Sequence, residues 1–127
     1  MIFDASSIFV AIRKMKPEVL RGNTTCELAK YELGNALWKG FALHGSINSD
    51  DAEKLIGTVI RAIELMNIES PDWSSAFKLS LELNITFYDA SYVQLAIKSG
   101  ASLVTEDKKL REKAEKVVDV RSVYDLI

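Results

Sequence analysis

Asp4, Asp89 and Asp107 each stand where a short apolar run gives way to a helix-forming stretch. Ile2-Phe3 precedes the first, Ile85-Thr86-Phe87-Tyr88 the second and Leu103-Val104-Thr105 the third. If these runs are parallel strands about 4.8 Å from their neighbours, their carboxyl ends bring the three aspartates to one edge. That edge is where open α/β sheets bind ligands. Carboxylates gathered there repel, which raises their pKa values and destabilises the chain that holds them. Mg²⁺ or Mn²⁺ resolves the repulsion: both are hard cations that take oxygen ligands and are commonly held by a few carboxylates plus a substrate phosphate. The chemistry on offer is metal-assisted hydrolysis of a phosphodiester. A plainer reading stands beside it, because Asp is a favoured helix N-cap and a cap needs no chemistry.

Glu32 weighs against capping alone. It lies inside a helical stretch, residues 27–43, whose inward positions are Ala29, Leu33, Ala36, Leu37 and Phe41. At about 100° per residue, Glu32 points nearly opposite Lys30, which marks the solvated face. Its neighbours one turn away are Leu28, Ala29, Asn35 and Ala36, so it lies on or beside the buried stripe. A buried carboxylate is costly without compensation. Lys30 and Lys39 are on other faces, and a divalent cation is the economical alternative.

The elements that must position these acids alternate along the chain. Residues 1–3 read as a buried strand and 8–12 as a short helix, followed by a basic connection, 14–23, with Pro17 and Gly22. After the helix of Glu32, the positions Ala52, Leu55, Ile56, Val59, Ile63 and Met66 repeat along one helical face, opened by Asp50 and Glu53 as a capping-box-like pair. A brief strand at 68–70 precedes Pro71, and Asp72 caps a helix through Trp73, Ala76, Phe77 and Leu83. Residues 85–88 read as a strand, with a helix to Lys98 that stops at Gly100. A strand at 102–105, a charged helix at 108–116 and a last strand at 117–120 complete the chain. Strands separated by about a dozen residues of helix are the pattern of parallel right-handed crossovers. The expected class is α/β: three layers, α/β/α, around a mostly parallel sheet of four to five short strands.

Composition narrows the field further. The chain has 127 residues, 48% of them hydrophobic and 27% charged, with two prolines and six glycines, which excludes a disordered or low-complexity protein. Its length predicts a single domain over 1–127. The one cysteine, Cys26, excludes an intramolecular disulfide and a cysteine zinc cage. No apolar run reaches membrane-spanning length, and no charged leader precedes the first apolar triplet. A soluble, cytoplasmic protein without a membrane association is expected. The net charge is −2, from 16 Lys and Arg against 18 Asp and Glu. Binding a polyanion would therefore rest on bound cations and on local clusters, namely Arg13, Lys14, Lys16 and Arg21, and Lys108, Lys109 and Arg111.

Four segments carry a resemblance. Met1-Ile2-Phe3-Asp4-Ala5-Ser6, Tyr31-Glu32-Leu33-Gly34-Asn35-Ala36-Leu37, Tyr88-Asp89-Ala90-Ser91-Tyr92 with Leu95-Ala96, and Leu103-Val104-Thr105-Glu106-Asp107 keep the order and spacing of four acids. In these the chain resembles the PIN-domain family, most closely its small VapC-type toxin ribonucleases, over essentially its whole length. The resemblance implies a divalent-metal-dependent endoribonuclease, using Mg²⁺ (or Mn²⁺) to activate a water. Asp4, Glu32 and Asp89 would be metal ligands, direct or through water, and Asp107 would complete the acidic cluster. Ser6, Asn35 and Thr105 would hydrogen-bond the carboxylates, metal waters or phosphate. It also implies a homodimer, an RNA substrate and an antitoxin partner whose tail blocks the acidic cleft. Plainer roles stand beside these: Ser6 and Thr105 as helix caps, and Asn35 satisfying a buried carbonyl.

Other readings fit less well. A haloacid-dehalogenase-like phosphatase needs a second Asp where Ser6 stands, receiver domains need paired acids after the first strand, and neither accounts for Glu32. There is no Gly-rich phosphate loop. His44, beside Gly45, reads as a helix-end cap or dipole partner, Cys26 as structural, and Trp38, Phe41 and Trp73 as core, with an oligomer interface as their next use. The alternative of another class is a PIN-like binding or assembly module without nuclease activity of its own.

Overall fold

Five two-residue strands form one all-parallel sheet in the computed structural model, which describes residues 1–45 and 47–127. In chain order the elements are β1 (Ile2–Phe3), α1 (Ala5–Arg13), β2 (Thr24–Thr25), α2 (Leu28–Trp38), α3 (Ser49–Ile63) and β3 (Asn67–Ile68). Then follow α4 (Trp73–Leu83), α5 (Phe87–Ser99), β4 (Leu103–Val104), α6 (Lys108–Ala114) and β5 (Val120–Arg121). The sheet order is β3-β2-β1-β4-β5, with Ile2 opposite Thr24 on one side and Leu103 on the other. From β1 the chain steps outward through β2 to β3, and α4 and α5 then carry it back across the sheet to β4. The order therefore reverses between β1 and β4, which is the switch point at which such sheets form a crevice.

Right-handed crossovers place α1, α2 and α3 on one face and α4, α5 and α6 on the other. Consistent with this, α1, α2 and α3 pack on one another, α4 packs on α5, and α5 lies against β1 and β4. The core is continuous around the sheet: Ile2, Phe3, Ile8, Leu33, Leu95, Leu103 and Val104 are all sealed from solvent. Burying such side chains contributes roughly 1.5–3 kcal/mol each relative to exposure.

Several local expectations change. Residues 85–88 are not a strand. Asn84 ends α4 in the left-handed conformation, φ 51°, and Thr86 already caps α5, leaving no room for one. The β-branched and aromatic composition of that stretch mimics strand propensity. The helix of Glu32 buries Ala29, Leu33 and Leu37 as expected, but Ala36 and Phe41 face solvent. Past Trp38 the backbone continues as one π-helical turn, Lys39–Leu43, whose extra residue shifts the helical phase ahead of Phe41. Trp38, Phe41 and Trp73 are 53%, 46% and 72% exposed, so none of them is core. α3 is capped by Asn48, which accepts from the Asp51 N–H, and not by Asp50 with Glu53. β2 falls on Thr24 and Thr25, too short and too polar for the sequence pattern to reveal.

Candidate active site

Asp4 follows β1 directly, and its extended backbone makes it the N-cap of α1. The capping expectation is thus met, but the cap is only part of what the carboxylate does. Its Oδ1 accepts from the Ser7 N–H at 2.9 Å and from the Ser6 hydroxyl at 2.7 Å, and its Oδ2 accepts a short hydrogen bond from the Thr105 hydroxyl. Both hydroxyls are themselves oriented. Ser6 Oγ accepts from the Glu106 N–H at 3.0 Å and Thr105 Oγ1 from the Asp107 N–H at 3.1 Å, which leaves each hydroxyl proton for Asp4. The network closes the switch point by tying the end of β1 to the end of β4. Asp4 is only 5% exposed. Burial pushes its pKa up, and the donors from Thr105, Ser7 and Ser6 oppose that rise without cancelling it.

The other acids reach the same place from helices. Glu32 is half-buried in the middle of α2, as its helical phase predicts, and Oε1 accepts from the Tyr92 hydroxyl at 2.5 Å. Burial raises its pKa, the Tyr92 hydrogen bond lowers it, and the charges of Asp4 and Asp89 push it up again. Asp89 sits in the first turn of α5, where a negative charge meets the positive end of the helix dipole. Its amide donates to the Thr86 cap at 3.0 Å. Its pKa is raised by burial, then by the charges of Asp107 and Asp4, against the Thr86 hydrogen bond. Asp107 is exposed and caps α6, with Oδ1 accepting from the Lys109 and Leu110 N–H groups at 2.9 and 3.2 Å. The acids therefore share one electrostatic environment, although only Asp4 directly follows a strand.

Asn35, one turn after Glu32, is exposed and its side chain makes no hydrogen bond among the described residues, so it does not join the network of Ser6 and Thr105. Glu106 turns away: its carboxylate accepts from Ser122 Oγ and the Val123 N–H. Of the basic clusters, residues 108–111 lie beside the acids, and Arg111 donates to the Thr105 carbonyl at 3.4 Å. The cluster over residues 13–21 follows the C-terminus of α1, which runs back from the acids, and so lies at the opposite end of the sheet. Cys26 is buried beside Tyr92, and burial pushes its thiol pKa up. His44 ends the π-helical turn, its N–H donating to the Lys39 carbonyl.

None of the four carboxylates forms an ion pair among the described residues. The ion pairs among those residues are Lys30–Glu27, Arg111–Glu115 and Arg121–Asp119. Desolvated, mutually repelling carboxylates without an ion pair to Lys or Arg fit a hard cation in charge and donor type. No three His, Cys, Asp or Glu side chains among the described residues close on a single ion by themselves. A hard cation held there would keep water among its ligands.

A PIN-domain family model matches residues 3–116. The chain belongs to the PIN-domain family. Two relatives from Pyrobaculum aerophilum are named for nucleases. Exonuclease VapC9 is 35% identical over 96 residues, covering 76% of this chain and 70% of the relative. Ribonuclease VapC3 is 37% identical over 91 residues, covering 70% and 69%. The crystal structure of PAE2754 from the same organism superposes with a TM-score of 0.83 at 26% identity, over 98% of this chain and 90% of that one. The three-layer α/β/α architecture of this PIN domain agrees with that likeness.

Tyr92 is the residue that sequence reasoning leaves without a role. It lies three residues after Asp89, one helical turn along the same face, but its partner Glu32 is 60 positions away and only the fold brings them together.

Proposed function

We propose that this PIN domain is a divalent-metal-dependent endoribonuclease, cutting RNA phosphodiester bonds at the cluster of Asp4, Glu32, Asp89 and Asp107. In the same reading it is the toxin of a type II toxin–antitoxin pair, acts in the cytoplasm, forms a homodimer and is held inactive by an antitoxin. The observation that carries the reading is electrostatic: the carboxylates of Asp4, Glu32 and Asp89, raised in pKa by burial, share one environment at the switch point of a parallel sheet and form no ion pair among the described residues. Membership of the PIN family, with relatives named for ribonuclease and exonuclease activity, supports the choice of substrate. Among the described residues no helix is long and apolar enough to cross a membrane. The exposed Trp38 and Phe41 offer apolar surface for the dimer or the antitoxin.

When bound, Mg²⁺ (or Mn²⁺) supplies positive charge opposite the scissile phosphate and lowers the pKa of an attacking water. The chain's own residues prepare the site. Ser6, Ser7 and Thr105 hold both Asp4 oxygens in fixed directions, so that little reorganisation is needed when charge moves. Asp107 caps α6 and adds negative charge beside Asp89. Asn35, exposed one turn from Glu32, is placed to contact RNA. Lys108, Lys109 and Arg111 supply the local positive surface that a chain of net charge −2 needs to guide a polyanion.

The test is cleavage of an end-labelled structured RNA and of its circular form by purified protein, in Mg²⁺, Mn²⁺ or EDTA, with Asp4→Asn and Asp89→Asn alongside. Metal-dependent cutting of the circle that both substitutions abolish is the expected result. Trimming of linear RNA alone would replace internal cutting with exonuclease action. An inert wild type that also binds no Mn²⁺ by calorimetry would leave the binding or assembly module.

A further inference from the structure

Tyr92 is sealed inside the molecule, 1% exposed, between α5 and the sheet, yet it carries a hydroxyl. A buried hydroxyl needs a partner, and this one donates to Glu32 Oε1 at 2.5 Å, joining α5 to α2 across the acidic cluster. Neither Glu32 oxygen has another hydrogen bond among the described residues. The contact is therefore all that fixes the direction of this carboxylate, on a side chain with three rotatable bonds and no ion pair. Tyr92 itself cannot move to follow Glu32. Its ring is the largest of the fully buried side chains, and Asp89 sits one turn before it on the same helix.

We propose that Tyr92 is a positioning residue of the nuclease site: its hydroxyl occupies Glu32 Oε1 and so leaves Oε2 for a divalent cation. The inference rests on the metal-dependent reading of the cluster and adds to it a definite geometry at Glu32. Groups that orient a metal-binding carboxylate typically matter by about 10–100-fold in metal affinity or activity.

The test is a double-mutant cycle read by Mn²⁺ calorimetry on wild type, Tyr92→Phe, Glu32→Gln and the double variant, with RNA cleavage in parallel. Phe keeps the ring and its packing, and thermal melts check that each variant folds. Tyr92→Phe is expected to weaken Mn²⁺ binding about tenfold or more and to lower kcat with little change in KM for RNA. In the Glu32→Gln background the same change should have almost no further effect. Unaltered Mn²⁺ affinity in Tyr92→Phe would overturn the inference, and so would an equal loss in both backgrounds, which would mean that Tyr92 acts through the fold. A wild type that binds no Mn²⁺ would sink the metal reading and this inference with it, a result distinct from either. A second measurement needs no substitution. In wild-type protein the Tyr92 hydroxyl proton should be visible by NMR as a slowly exchanging, downfield resonance that persists when Mg²⁺ is added. Its loss on adding Mg²⁺ would overturn the proposed division of the two Glu32 oxygens.

Discussion

Asp4 and Asp89 face the same problem, a carboxylate drawn out of water beside other carboxylates, and the chain handles them in opposite ways. Asp4 is held from three directions, by a backbone amide and two hydroxyls that are themselves fixed by backbone amides of the β4–α6 connection. Asp89 has, among the described residues, the Thr86 cap alone as a hydrogen-bonding side chain, and the first turn of α5 favours its charge. One half of the site is solved within the protein and the other is left to whatever binds. In such a pair the more firmly held group fixes the geometry, and the less firmly held one keeps more of the repulsion.

The widest test of that contrast is to remove each charge in turn. Asp4→Asn and Asp89→Asn should each lower metal-dependent RNA cleavage by about 10²–10³-fold, equivalent to several kcal/mol of transition-state stabilisation. Stability should separate them. An Asn at position 4 turns an amide N–H₂ toward either Ser6 and Ser7 or Thr105, so it should cost about 1–3 kcal/mol in urea unfolding without metal. Asp89→Asn removes repulsion while keeping an oxygen for the Thr86 hydroxyl, and should raise the melting temperature of the metal-free protein. Equal stability effects from the two would dissolve the contrast.

Thr105→Val sharpens the Asp4 side. Valine keeps the shape but loses both the donor to Asp4 and the acceptor for the Asp107 N–H. A loss of about 1–3 kcal/mol with a 10–100-fold fall in activity is expected. A fall in stability alone would make Thr105 a cap and nothing more.

Acidity tests both sides together. Burial raises the folded pKa of Asp4, Glu32 and Asp89 above the ordinary values of 3.8 for Asp and 4.5 for Glu. The folded chain then binds more protons than the unfolded one between each ordinary and raised value. The stability these groups contribute is thus present at low pH and is lost as pH rises through that window. Asp72 and Asp119, lowered by hydrogen bonds from Ser75 and from Ser102 and Arg121, act in the opposite direction from exposed positions. In EDTA the melting temperature should fall as pH climbs from about 4 toward neutrality, and Mg²⁺ should reduce that fall by binding the folded state. A melting temperature insensitive to Mg²⁺ at neutral pH would show that no cation relieves the repulsion.

How far this contrast could be read from the sequence differs between its halves. Asp4 and its strand were legible because an apolar run ending in Asp before a helix is local information, and Glu32 because helical phase is too. Asp89 stands at no strand end, since its stretch of β-branched and aromatic residues belongs to a helix cap and first turn. The partners of Asp4 were only half visible: Ser6 lies two positions away, but Thr105 is 101 positions away and meets it only once β1 and β4 pair. Tyr92 carried no signal because its hydroxyl acts across α2 and α5. Trp38, Phe41 and Trp73 resemble core residues by composition, and only the packing shows them facing outward.

Asn35 gives the smallest expected effect and isolates the substrate from the site. It is exposed, its side chain has no hydrogen-bond partner among the described residues, and it lies one helical turn from Glu32. If it orients a carboxylate, Asn35→Ala should weaken Mn²⁺ binding as the Thr105 and Tyr92 variants do. Its placement favours a different outcome: stability within about 0.5 kcal/mol of wild type, unchanged Mn²⁺ affinity and a KM for RNA raised a few-fold, about what one lost neutral hydrogen bond at a wet surface amounts to. Calorimetry and steady-state cleavage on the one variant separate the two. Lowered Mn²⁺ affinity would bring Asn35 into the carboxylate network from which its exposure in the structure excludes it.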